Sequence, residues 1–151
     1  MTLDISALNS GLTTLFTSPP DSFLGCADQW AEAVYNYSFL VIPTSTTAAA
    51  AKEALADSLN SAFSTSVSAA VTATNMEAAF SAYATTLAVG MLPAYTGVPP
   101  AGSIGFVDIF EGEPPVDVTT AVTTFSSAIS SWFLTGAATL VAPPFTVLTW
   151  V

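Results

Sequence analysis

The residues best suited to chemistry are four acids in the second half of the chain: Asp108, Glu111, Glu113 and Asp117. Carboxylate oxygens at such spacing could bind a calcium ion, and a pair of carboxylates could carry out acid–base catalysis. Gly112 and two prolines interrupt the cluster, which is typical of a solvated loop. We therefore interpret the cluster as a charged loop and predict neither a metal site nor catalytic residues.

The other reactive side chains exclude most catalytic arrangements. The 151 residues include no histidine, one cysteine (Cys26) and one basic side chain (Lys52). Histidine-based triads and zinc sites are therefore excluded, and a single cysteine forms no internal disulfide. We interpret Cys26 as a small buried hydrophobe and Lys52 as part of a solvated helix face. The sequence predicts a protein that is not an enzyme and needs no cofactor.

The net charge of -10 arises from eleven acids against that one base. Binding to nucleic acid requires cations that neutralise phosphates, and anionic membrane surfaces attract basic segments. We therefore predict no nucleic-acid partner and no membrane partner. Two long stretches, residues 78–107 and 118–151, carry no charge. They leave a small membrane protein as an alternative, although serine and threonine recur in them too often for a spanning helix.

Helical periodicity dominates the elements that would position these side chains. Apolar residues at helical spacing fall within residues 5–16, 23–37, 48–63, 80–91 and 118–132. Residues 93–115 are punctuated by proline and glycine and contain room for one short helix over residues 103–110. The pattern predicts an all-α fold, a bundle of about five helices with a proline-rich connection and an extended C-terminal tail.

Local signals predict where some of these helices begin and end. Thr74 and Glu77 fit a capping box that would start the fourth helix, so the stretch before it, residues 64–74, is predicted to fray into a loop. Asp117 is the expected cap of the last helix. Gly136 stands where a left-handed residue would end that helix.

The segment after Gly136 has the composition of strands. Phe145 and Val147 fall on one face of an extended chain, and Leu148 and Trp150 on the other. A lone strand has open hydrogen-bonding edges and needs a partner. Two arrangements are open: the segment pairs within its own chain, or it adds to a neighbouring subunit. We predict a helical bundle domain over residues 1–136, a tail or short strands over residues 137–151, and contacts to a partner through those four residues.

Three segments carry a resemblance to a known class of proteins. They are LDISALNSGLTTLF near the start, CADQWAEAVYNY in the middle and LTGAATLVAPPFTVLTWV at the end. In layout and composition they resemble small structural proteins of tailed bacteriophages, notably contractile-tailed phages. The resemblance implies a virion component, assembled in the host cytoplasm, with no catalytic residues.

Composition and resemblance together predict a helical structural subunit of the capsid, neck or tail. A surface of serine, threonine and alanine is easily desolvated, which favours packing against other structural subunits in a homo- or hetero-oligomer. Two alternatives stay open. One is a small binding or adhesion module that uses residues 93–115, and the other is the small membrane protein.

Overall fold

A computed structural model describes residues 2–41 and 47–150. Within these residues, six α-helices, one 3-10 turn and three strands follow one another along the chain. They are α1 (Ile5–Thr17), α2 (Phe23–Ser38), the 3-10 turn (Phe39–Val41), α3 (Thr47–Thr65), α4 (Ala69–Gly90), β1 (Tyr95–Val98), α5 (Phe106–Glu111), α6 (Val118–Phe133), β2 (Ala137–Leu140) and β3 (Val147–Thr149). None of these helices is long and apolar enough to cross a membrane.

The core is built from the apolar stripes of the helices, with an aromatic cluster at its centre. Trp30 of α2 contacts the rings of Phe80, Phe106 and Phe125, with centroid distances of 6.3, 6.5 and 5.6 Å. Burial of each such side chain contributes roughly 1.5–3 kcal/mol. Because these four rings come from α2, α4, α5 and α6, the cluster joins the middle of the bundle to its later helices.

The prediction of a mainly helical protein is confirmed, and so is the cap of the last helix. The Asp117 carboxylate accepts a hydrogen bond of 2.7 Å from the backbone N–H of Thr120. This bond holds the pKa of Asp117 below its ordinary value, because it favours the charged form.

The predicted start of the fourth helix is wrong. Ser68 caps α4, and its hydroxyl accepts a hydrogen bond from the backbone N–H of Val71. Only residues 66–68 separate α3 from α4, so most of the stretch predicted to fray is helical. Burial of Ala73 and Met76 against the core outweighs the weak helix propensity of the threonines around them.

The prediction of an all-α fold is also wrong, because three short strands form an antiparallel sheet in the order β1-β2-β3. The segment predicted as a C-terminal tail therefore pairs within its own chain: β2 pairs with β1 and β3 pairs with β2. One face of the sheet packs on α4, where Gly97 lies against the backbone of Ala88. Ala138 on the same face is fully buried.

Gly136 joins α6 to the sheet, but it does not have the predicted left-handed conformation. Its role is steric. A Cβ atom at this position would lie 2.7 Å from Cδ2 of Trp150, whose indole is fully buried and lies beside the ring of Phe133, with centroids 6.1 Å apart. The Trp150 backbone N–H donates to the carbonyl of Gly136. The absence of a side chain at Gly136 therefore leaves the space that the Trp150 ring needs to pack against the core.

We expect Gly136→Ala to lower the free energy of unfolding by about 1–3 kcal/mol, because the new methyl group overpacks the Trp150 ring. Urea denaturation followed by circular dichroism measures this loss. In a Trp150→Leu background the same substitution should cost clearly less, since the opposing ring is gone. Equal losses in the two backgrounds would contradict the steric explanation.

Candidate functional site

The four acids of the predicted charged loop occupy different structural positions and do not form one site. Asp108 lies in the first turn of α5, and Asp117 caps α6. Glu111 is the last residue of α5 and Glu113 lies in the loop that joins these helices; both are exposed. In residues 2–41 and 47–150, no group of three or more histidines, cysteines or acids is arranged to bind a metal ion.

Lys52 takes part in a surface ion pair. Its Nζ lies 2.8 Å from Oε2 of Glu32 and 5.2 Å from the ring centroid of Tyr35. The hydrogen bond from the ammonium raises the pKa of Lys52 and lowers that of Glu32. Partly exposed pairs of this kind contribute about 0.2–1 kcal/mol. The pair links α3 to α2, which is a structural role.

The four predicted contact residues do not lie on one surface. Phe145, Val147 and Leu148 are exposed by 58, 63 and 38 %. Trp150 is fully buried, so the prediction that it contacts a partner is wrong. All three residues of β3 are exposed, and only after the strand does the chain place the Trp150 ring on Gly136. Leu148 shares a face with Trp150 but stays exposed, so strand alternation alone does not produce this division.

The exposed part of the C-terminal segment is a continuous uncharged surface. All nine residues from 141 to 149 are exposed, and none is charged. We call residues 142–145 the turn tip; the Phe145 N–H donates to the Ala142 carbonyl across it. Beyond the turn tip, β3 pairs with a strand on one side only among the residues that the structure describes, so its outer edge presents backbone groups without a strand partner there.

Phe145 has an unusual backbone conformation within the turn tip. Its φ is 53°, in the left-handed region that bulky side chains rarely adopt. Such a conformation costs on the order of 1–3 kcal/mol and is often found at functional positions. A large aromatic side chain is thus presented to solvent from a position that suits glycine or asparagine better.

A second apolar surface lies at the other end of the helices, and the sequence patterns gave no sign of it. It is a groove of about 520 Å³ that we call the aromatic groove. Phe125 in its lining contacts Phe16 and Phe110 with centroid distances of 5.5 and 5.9 Å. Cys26, predicted to be buried, is half-buried in its wall. The complete set of its aromatic lining residues is Phe16, Phe23, Trp30, Phe63, Phe110 and Phe125.

Glu77 holds part of the connection over residues 93–115, the segment that a binding module would use. One carboxylate oxygen, Oε1, accepts hydrogen bonds of 2.9 and 2.8 Å from the backbone N–H groups of Gly105 and Phe106. The Ser103 hydroxyl donates to both carboxylate oxygens. The Glu77 side chain was predicted to cap its own helix. It instead accepts hydrogen bonds from backbone N–H groups at the start of α5, which have no partner within that helix. Residues 103–106 are therefore held against α4.

No protein-family model, curated protein or solved structure matches this chain. The turn tip with the β3 edge and the aromatic groove are thus the features on which a function can be argued. Both are apolar and neither contains a charged residue.

We expect Glu77→Ala to lower the free energy of unfolding by about 1–3 kcal/mol, because it leaves the Gly105 and Phe106 N–H groups without their acceptor. Urea denaturation measures the loss, and hydrogen exchange at Phe106 should become faster. Glu53→Ala, at an exposed glutamate of α3, is the matched control and should change stability by less than about 0.5 kcal/mol. Equal effects of the two substitutions would contradict this role for Glu77.

Proposed function

We propose that this protein is a non-enzymatic structural subunit of a bacteriophage particle, a component of the capsid, neck or tail. It acts by packing into a larger assembly in the virion after synthesis in the host cytoplasm, and its C-terminal segment contacts the neighbours. One observation carries the proposal: residues 141–149 form an exposed, uncharged surface along an open strand edge.

The distribution of charge supports this choice of surface. All eleven acids and Lys52 lie outside residues 78–107 and 118–150, the stretches that supply all three strands and α6. Two copies with a net charge of -10 each repel one another. They can approach closely only where little charge has to be desolvated, and the sheet with its turn tip is such a place.

The strand edge supplies a second source of affinity. An exposed edge can accept an additional strand through main-chain hydrogen bonds. Many edge strands carry a lysine or proline that prevents this pairing. In β3 the three residues are Val147, Leu148 and Thr149, and none of them blocks the approach of another chain.

A small binding module remains the second candidate function, and the aromatic groove favours it. Phe110, from the connection over residues 93–115, forms part of the groove wall. The same connection is pinned to α6 by the Trp132 indole N–H, which donates to the Gly102 carbonyl at 3.0 Å. A discrete ligand that raises the melting temperature of the monomer would support this candidate over the structural subunit.

We expect the average mass of the purified chain, measured by light scattering, to grow with protein concentration. Growth should be stronger at about 0.5 M than at 0.05 M salt, because salt screens the repulsion between negatively charged copies. Val147→Lys should weaken this association at least about tenfold, since a lysine on the edge would be buried without a partner.

Ala54→Lys is the matched control for that experiment. Ala54 is exposed in the middle of α3 and belongs neither to the sheet nor to the aromatic groove, so the substitution changes the net charge equally outside both surfaces. It should leave the association unchanged. A chain that stays monomeric at all concentrations and both salt levels, or two lysine variants that behave alike, would contradict the proposed contact surface.

A further inference from the structure

We propose that the turn tip of one copy inserts Phe145 into the aromatic groove of the next copy, so that subunits join head to tail. This inference rests on the proposed function, and it names the partner of each apolar surface. The occupant of the groove is a second copy of this chain.

The groove and the turn tip match in size. A closed apolar cavity of about 150 Å³ is enough to hold benzene. The groove, with about 520 Å³, has room for the Phe145 ring together with the adjoining ring of Pro144. Aromatic rings on the wall, such as Phe16 and Phe110, would meet an incoming phenyl ring edge to face, which is a favoured arrangement.

The groove and the turn tip also match in charge. The eleven residues that line the groove include no charged side chain, and the turn tip is Ala-Pro-Pro-Phe. Docking would therefore bury no ion. A partner that bound through basic residues would instead find its complement on the acidic surfaces outside the groove.

The two surfaces lie at opposite ends of the molecule. Met76 of α4 lines the groove, whereas Gly90 ends α4 next to the sheet. Fourteen residues of helix separate these positions, which corresponds to about 21 Å. The turn tip joins β2 to β3 at the sheet end, so it does not reach its own groove. Contact between two different surfaces on identical copies is heterologous and produces a ring or a filament.

The conformation of Phe145 provides an independent observation. Its φ of 53° suits asparagine or glycine better than phenylalanine, and its side chain is 58 % exposed. Neither backbone conformation nor burial in its own chain therefore accounts for an aromatic residue here. A ring that fills a neighbour's groove does account for it.

Two variants test the inference without endangering the fold. Phe145→Asn removes the ring and relieves the backbone. Thr72→Glu places a carboxylate in the groove wall, near the start of α4, where a glutamate favours the helix. Thr74→Glu is the matched control, because Thr74 is exposed on the same helix and its hydroxyl makes the same bond to a carbonyl four residues earlier.

We expect both of the first two variants to keep the helical circular dichroism of the wild type. Thr72→Glu should keep its melting temperature, and Phe145→Asn should keep or raise it, because asparagine relieves the backbone. Alone, each should associate at least about thirtyfold more weakly, which is the effect of losing a central aromatic contact. Thr74→Glu should assemble as the wild type does. Mixed in equal amounts, the two variants should form a dimer of twice 15.5 kDa, since one supplies an intact groove and the other an intact tip.

Four results would overturn the inference. Wild-type assembly with both variants unaffected would leave the structural-subunit proposal standing and remove the tip-in-groove contact. Loss of assembly in both variants without a mixed dimer would show that the contact is not between tip and groove. Loss of assembly in Thr72→Glu alone would show that the groove binds something other than the turn tip. A wild type that never assembles would defeat the proposed function together with this inference.

Discussion

Electrostatic repulsion decides which parts of this molecule can touch another copy. Each chain has ten uncompensated negative charges, and the one base is already paired with Glu32. Close approach is therefore least costly where the chain carries no charge. The sheet with its turn tip lies in such stretches of the chain, and the lining of the aromatic groove contains no charged side chain. That distribution of charge supports the proposed choice of contact surface.

The packing of the core places the two apolar surfaces at opposite ends. Phe125 belongs to the central aromatic cluster and also lines the groove. Eleven residues further along, α6 has ended and Gly136 receives the Trp150 ring. Because α4 and α6 both run from the groove end to the sheet end, a rigid core connects the surfaces. Head-to-tail contacts between such rigid units would transmit a fixed geometry along an assembly.

The sequence was informative where local patterns determine structure. The apolar stripe of α6 and its cap at Asp117 were both predicted, since periodicity and capping are local properties. The sheet was not predicted because β1 and β2 are about forty residues apart, and no local pattern in Tyr95–Val98 indicates a strand or its partner. Gly136 and Glu77 were assigned local roles, but each serves a residue distant in sequence, Trp150 and Phe106. The groove likewise arises only when the ends of several helices meet.

The rate at which a thiol reagent modifies Cys26 tests the central claim most directly. Cys26 is the only cysteine and lies half-buried in the groove wall, so the unaltered chain reports on its own groove. If neighbouring copies fill the groove, the rate should fall at least about tenfold over the concentration range in which the average mass grows. A rate that stays constant while the mass grows would contradict the account.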